Sequence, residues 1–358
     1  MKKDTRNHPR ISIGLDLGDR FSYMVAVDRQ GEIVAEEGRV ATTRKGVAKY
    51  FARFGADARI VCEAGTHSQW VSALLEDLGF EVIVANPCQA GRALAANSRK
   101  NDRLDAITLA TLGVDSVRLL RPIKHRSRAA QEDLSVIRAR DAAIRMRSLA
   151  INTIRGLVKT NGERLPKCSS ASFHRKVLEA VPSGLKAAVL PLIEQIGQLT
   201  TLVRSYDKQI DELCEKYPET QRLRQIKGVG PLIAMAFVLT LEDAKRFKRS
   251  RDVGPYLGLV PGQRESGASS PQLRITKEGD KYLRQLLVNG AHYVLGPFGP
   301  DCELRRFGKR VGARGGGNGK KRAVTAVARK LAVLMHRLWS TGDTYEPFHQ
   351  SKQERKSA

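Results

Sequence analysis

Residues 11–41 constrain the fold more than any other stretch. ISIGLDLGDRFSYMVAVD alternates with the two-residue period of a strand, breaks at Gly18-Asp19-Arg20, and resumes with Tyr23, Val25 and Val27. A second break at Arg29 to Gly31 leads into EIVAEEGRV. Three alternating runs separated by tight polar breaks predict an antiparallel hairpin with a third strand added. An amphipathic helix is expected over Lys45 to Phe54, and a strand over Ala58 to Cys62, ending at Glu63. A helix over Gln69 to Leu78 and a strand in EVIVANP follow. Three strands, then alternating helix and strand, make a mixed α/β domain. Asp16 falls inside the first strand beside Ile13, Leu15 and Leu17. Either it lies on a wet face of an edge strand, or it is paired, hydrogen-bonded or metal-bound, because an unpaired buried carboxylate is very costly.

A second acidic feature opens the next helix. NSRKNDRLDAITLA, Asn97 to Ala110, sets Asp102 and Asp105 three residues apart at the start of an apolar run free of Pro and Gly. If Leu104 to Leu112 is helical, both carboxylates share one face of its first turn. One reading is a capped helix, with Asn101 or Asp102 as the N-cap. The other is a pair of acids that holds a divalent cation against a phosphate, with Arg99, Lys100 and Arg103 alongside. In α/β sheets chemistry collects at the carboxyl ends of the strands. Glu63 sits at such an end, and Asp102 and Asp105 begin the helix after the last strand.

Charge narrows the partners. Sixty-two Lys and Arg against thirty-seven Asp and Glu give the 358-residue chain a formal net charge of +25. That excess calls for a polyanion, and with no basic amphipathic anchor carrying aromatic residues, nucleic acid is favoured over a membrane surface. No apolar run approaches the ~20 residues of a membrane span. MKKDTRNHPR is basic but is followed by no apolar signal core, so a cytoplasmic protein is expected. The five cysteines, Cys62, Cys88, Cys168, Cys214 and Cys302, form no zinc framework and no evident disulfide set.

The middle of the chain predicts long helices. Ile137, Ile144, Ile151 and Val158 recur every seven residues. Val189, Leu192, Ile196, Leu199, Val203, Tyr206, Ile210 and Leu213 alternate steps of three and four. Such spacing forms a packed seam, either inside one chain as a helical hairpin or between chains as a dimerising coiled coil. The seam from Val189 to Leu213 is expected to be partly intermolecular. From Leu223 on, RQIKGVGPLIAMAFVLTLEDAKRF has the form of a helix-hairpin-helix, with Lys227, Gly228 and Gly230 placed to contact a phosphate and Pro231 in the first turn of the next helix. Tyr256 to Leu295 contains a polar Gly/Ser loop, then Arg274 and Lys277, then a helix over Tyr282 to Val294. Arg314, Lys320, Lys321 and Arg322 surround the loop GARGGGNGK ahead of a final helix, Ala323 to Trp339, and suit a phosphate backbone.

Several of these segments together resemble a known family. Asp16 in IGLDLG, Glu63 in VCEAG, Asn86-Pro87 and the run K-N-D-R-L-D-A resemble the RuvC-like domain of the DEDD transposases, the insertion sequence 110 family. GLVP, the Ser-Gly pair Ser266-Gly267 and RITKEG with the following LRQLL resemble that family's carboxyl-terminal transposase domain. Asn101 stands where relatives more often carry Thr. The resemblance implies a RuvC-like, RNase H-like fold with Asp16, Glu63, Asp102 and Asp105 as the four catalytic acids. Four carboxylates suit two Mg²⁺ or Mn²⁺ ions. It also implies Ser266 as a catalytic nucleophile, with Ser269 and Ser270 as register rivals and Thr276 at a position that is Ser or Thr in relatives. The implied partners are target and donor DNA, a bridge RNA that pairs with both, and further copies of the chain in a homo-oligomer. The implied setting is a bacterial cytoplasm, in association with the nucleoid.

The expected organisation is a RuvC-like domain over 1–120, a helical and coiled-coil region over 121–222, a carboxyl-terminal transposase domain over 223–345 and a disordered tail over 346–358. Two rivals remain open. A Holliday-junction-type nuclease would use the four acids without a serine, and a non-catalytic nucleic-acid-binding protein would use neither.

Overall fold

The computed structural model of the chain describes residues 10–94, 101–267, 269, 271, 273–314 and 316–348. It divides into two compact units, Met1–Arg126 and Ser127–Ala358. Arg99, Lys100 and Ser270 lie outside the described residues, as do 349–358 of the expected tail.

The first unit is built on one mixed five-stranded sheet. Its strands are β1 (Ile11–Asp16), β2 (Phe21–Asp28), β3 (Ile33–Ala41), β4 (Arg59–Glu63) and β5 (Glu81–Ala85), in the order β3-β2-β1-β4-β5. The β1–β2 and β2–β3 pairs are antiparallel, and β1–β4 and β4–β5 are parallel. Helices α1 (Arg44–Phe51), α2 (Ser68–Asp77), α3 (Pro87–Leu94) and α4 (Asp102–Asp115) join and cover them.

Strand alternation sorts the two faces. Ile13 and Leu15 of β1, with Ile60 and Cys62 of β4, pack with Val47 and Phe51 of α1 and Val71 and Leu75 of α2. The opposite face belongs to α4: Ala106 and Ala110 pack on Val25 and Val27, and Leu109 packs with Val61. Gly14 lets α4 lie directly on β1, because a Cβ there would stand 1.9 Å from the Ala106 carbonyl oxygen. At the other end of α4, the Arg59 guanidinium donates to the Gly113 carbonyl at 2.7 Å. Helix α4 therefore runs antiparallel to β1 and β4, with its first turn at their carboxyl ends.

In the second unit, α5 (Arg128–Thr160) and α6 (Lys186–Lys216) form an antiparallel pair. Arg140 pairs with Asp207 at 2.6 Å and Asp133 with Lys216 at 2.6 Å. Val189, Ile196, Leu199, Val203 and Ile210 are buried, as are Ile137, Ile151 and Val158 of α5. These residues of the two heptad rows pack within the chain, while Ile144, Leu192, Tyr206 and Leu213 of the same rows are half-buried. An Ile196→Asp substitution should unfold this helix pair, at a cost of several kcal/mol for a buried charge, and not merely split an oligomer. Circular dichroism with sizing chromatography distinguishes the two outcomes.

The helical core of the second unit draws on α7 (Pro231–Leu241), α8 (Lys281–Leu295) and α10 (Gly319–Thr341), with α9 (Glu303–Ala313) alongside. Leu134 and Ile137 of α5 and Ile210 of α6 belong to the same core, which joins residues from both sides of 222. Ala234 to Leu241 of α7 are all buried. At the glycine turn that leads into α7, Gly228 has a φ of 100°, and a Cβ there would meet Tyr293 of α8 at 3.1 Å. The glycine serves close packing on α8, and the first turn of α7, Pro231 to Ile233, is half-buried ahead of the buried run. Within the stretch expected as a tail, the Pro347 carbonyl accepts from the Glu303 amide at 2.9 Å, and Arg306 stacks over Phe348 at 4.7 Å. No described helix is long and apolar enough to cross a membrane.

Candidate active site

Three elements bring four carboxylates to one edge of the first unit. In the parallel β1–β4 ladder Leu15 pairs with Cys62, so Asp16 and Glu63 are the next residues on adjacent strand ends. The two-residue period puts both on the face that carries Gly14 and Val61, the face that α4 covers. Asp102 precedes by one turn Ala106, which lies on Gly14. Asp105 precedes by one turn Leu109, which packs with Val61 of β4. Asp16, Glu63 and Asp105 are half-buried, and Asp102 is exposed.

The helix start resolves the capping alternative. Asn101 Oδ1 accepts from the Arg103 amide at 2.9 Å, so Asn101 is the N-cap and Asp102 occupies the first helical position. The Asp102 carboxylate is thus not spent on capping, although the helix dipole favours it there.

Arg103 lies between the two acids and is already engaged. Its guanidinium makes a bidentate pair with Glu36 of β3, at 2.7 and 3.0 Å, and the Tyr23 hydroxyl donates to the same carboxylate. Through this pair Arg103 ties the start of α4 to the sheet. Its hydrogen bonds and Tyr23's hold the Glu36 carboxyl below the usual glutamate range. A lowered carboxylate pKa contributes stability above the unfolded value and loses it as pH falls through the folded value, so the tie is intact at neutral pH. Glu36→Gln should slow strand cleavage about fivefold or less, the scale of an exposed ion pair, without weakening DNA binding. Cleavage rates and a filter-binding titration measure the two effects.

The donor set is hard oxygen throughout, which fits a divalent ion such as Mg²⁺ or Mn²⁺. The neighbouring Cys62 thiol is no competing ligand, since strand alternation turns it to the opposite face, where it is buried with Ile13, Leu15 and Ile60. Among the described residues no group of three or more His, Cys, Asp or Glu side chains is gathered closely enough to hold a metal ion. The acids share an edge, and they are not gathered around a point.

In the second unit, the Gly/Ser loop is an irregular hairpin arm. Gly262 N–H donates to the Arg274 carbonyl at 2.9 Å, Thr276 N–H to Val260 at 2.9 Å and Lys277 N–H to Gly258 at 3.1 Å. At the tip, Ser266 and Ser269 exchange main-chain hydrogen bonds of 3.1 and 3.0 Å across Gly267. The root is fixed by Arg284 of α8, a buried guanidinium that donates to the carbonyls of Leu257 at 2.9 Å and Glu278 at 2.7 Å. Gly258 has a φ of 63°, and a Cβ there would stand 2.3 Å from the Glu278 nitrogen. Ser266 is exposed, and so are Arg274, Lys277, Lys227, Arg314, Lys320, Lys321 and Arg322. Gly230 has open space about it. Arg284, Glu36 and Tyr23 are site-supporting residues that sequence reading missed.

Comparison with known proteins agrees with this architecture. A transposase model of the IS110 DEDD type matches residues 13–161, and the transposase IS116/IS110/IS902 family model matches residues 220–302. The chain is 26% identical over 356 residues to the transposase for insertion sequence element IS1111A of Coxiella burnetii, covering 96% of this chain and 94% of that one. It is 27% identical over 290 residues to a probable family 20 transposase of Pseudomonas aeruginosa, covering 79% and 83%. A transposase for insertion sequence element IS1328 of Yersinia enterocolitica is 26% identical over 292 residues, again covering 79% and 83%. These similarities define an enzyme of DNA transposition. The chain belongs to the IS110 family of transposases.

Proposed function

We propose that the chain is an RNase H-like, metal-dependent recombinase that cuts and rejoins DNA through a covalent phosphoserine. The observation that carries the reading is the meeting of two adjacent strand ends, Asp16 and Glu63, with the acidic first turn of α4 on one face of a β3-β2-β1-β4-β5 sheet. Asp16, Glu63, Asp102 and Asp105 would hold Mg²⁺, which would stabilise negative charge developing on the phosphoryl oxygens and leaving group. Ser266, at the end of a rooted, exposed arm, supplies the nucleophile. Its hydroxyl loses a proton as Oγ bonds to phosphorus, and the departing deoxyribose oxygen takes up a proton as its bond to phosphorus breaks. The ester is conserved, so a second strand end rejoins by the reverse step with no external energy source.

The basic excess supports two polyanionic partners, DNA and a bridge RNA whose base pairing selects the sites while the protein reads backbone. The exposed basic residues from Arg274 to Arg322 suit that backbone role. Met146, Leu149 and Leu157 share one exposed face of α5, which supports self-association through a surface other than the buried seam. A plasmid carrying the element with its flanks, treated with wild-type protein and Mg²⁺, should yield protein-linked DNA on a denaturing gel, and the linked peptide should contain Ser266. Cut ends without linked protein would favour the metal-dependent nuclease instead.

A further inference from the structure

One polar group at the acid edge has no role in the reading above. His67 ends the loop that follows Glu63 and stands immediately before α2, yet its side chain makes no capping hydrogen bond to that helix. Instead, the Trp70 indole N–H donates to His67 Nδ1 at 3.1 Å, with the two rings nearly perpendicular at 88°. An indole nitrogen is a donor only. Nδ1 must therefore accept with its lone pair, and the neutral ring carries its proton on Nε2. That nitrogen faces the loop that follows Asp16, where Asp19 Oδ1 lies 3.7 Å away. This separation is beyond hydrogen-bond reach, and the Asp19 side chain is 95% exposed. Nε2–H thus stands between the two loops that leave the acid-bearing strand ends.

We propose that His67 Nε2–H donates to a non-bridging phosphoryl oxygen of the DNA strand at this edge, and that Trp70 is a positioning residue that fixes the donating tautomer. The proposal rests on reading the four acids as the catalytic centre. A neutral donor suits that place. It binds a phosphate oxygen without adding positive charge beside a divalent ion, and without being drawn onto the acids as an imidazolium would be.

The test is single-turnover strand cleavage by the full chain with Mg²⁺, with Asp16→Asn run in parallel. His67→Ala should slow bond breaking about a hundredfold, the effect of removing one donor at a developing charge, with DNA affinity unchanged. His67→Gln carries an amide nitrogen near the Nε2 position and should recover most of the rate. His67→Asn reaches only the Nδ1 position and should not. Trp70→Phe keeps an aromatic ring without the N–H and should fall between wild type and His67→Ala. Equal losses in His67→Ala and His67→Gln would overturn the proposal and assign His67 to packing, and this comparison decides even if both variants melt early. Wild-type rates in all His67 variants, with Asp16→Asn inactive, would overturn the proposal and leave the acid edge standing. Normal cleavage by Asp16→Asn would overturn the catalytic reading of that edge itself.

Discussion

Gly14→Ala should destabilise the first unit by more than about 3 kcal/mol and abolish strand cleavage with it. The added methyl carbon would lie 1.9 Å from the Ala106 carbonyl oxygen and 2.6 Å from the Ala110 nitrogen. Both are backbone atoms of α4, so no side chain can swing aside. Either α4 lifts from β1, carrying Asp102 and Asp105 away from Asp16 and Glu63, or the central strand bends. Both outcomes dismantle the edge where the acids meet. Gly156→Ala is the matched control. That glycine is exposed in α5 with nothing within 4 Å of a Cβ, so alanine there should add up to about 1 kcal/mol through helix propensity. Thermal melts of both variants, with hydrogen exchange at the β1 amides, measure the contrast.

Ser266→Ala should eliminate the protein–DNA adduct, a loss of more than a thousandfold on the scale of removed nucleophiles. The arm makes this a clean substitution. The bonds that close its tip run between the main-chain groups of Ser266 and Ser269, and an alanine keeps both. DNA binding and melting temperature should therefore stay at wild-type values while the adduct disappears. Ser269→Ala removes a hydroxyl from the same turn and should leave the adduct in place. An adduct lost only in Ser269→Ala or Ser270→Ala would move the nucleophile to that residue.

Local patterns made much of this legible. The alternation of ISIGLD and the polar breaks after it indicate β1 to β3, and the spacing of Ile137 to Val158 indicates α5, because each is written in neighbouring residues. Asp16, Glu63, Asp102 and Asp105 stood out because carboxylates at strand ends and a helix start break those patterns. What stayed hidden depends on distant partners. Arg103 reads as a free cation in KNDRLD, and its partner Glu36 lies 67 residues upstream. The steric demand at Gly14 comes from α4, some ninety residues later. The hairpin arm escaped notice because Pro261 and Gly262 interrupt the alternation that marks a strand. Seam residues such as Ile196 look alike whether their partner helix is in the same chain or another.

The long buried run of α7 has a consequence for how the protein is made. Its eight consecutive buried residues, Ala234 to Leu241, are covered by helices that end as late as Thr341. During synthesis this sticky segment leaves the ribosome about a hundred residues before its last cover exists, and long-range cores of this kind close slowly. A frameshift or stop codon anywhere before Gly319 leaves α7 without α10, and the fragment is bound for aggregation or proteolysis. Gene decay in such an element therefore removes the second unit as a whole and not piece by piece.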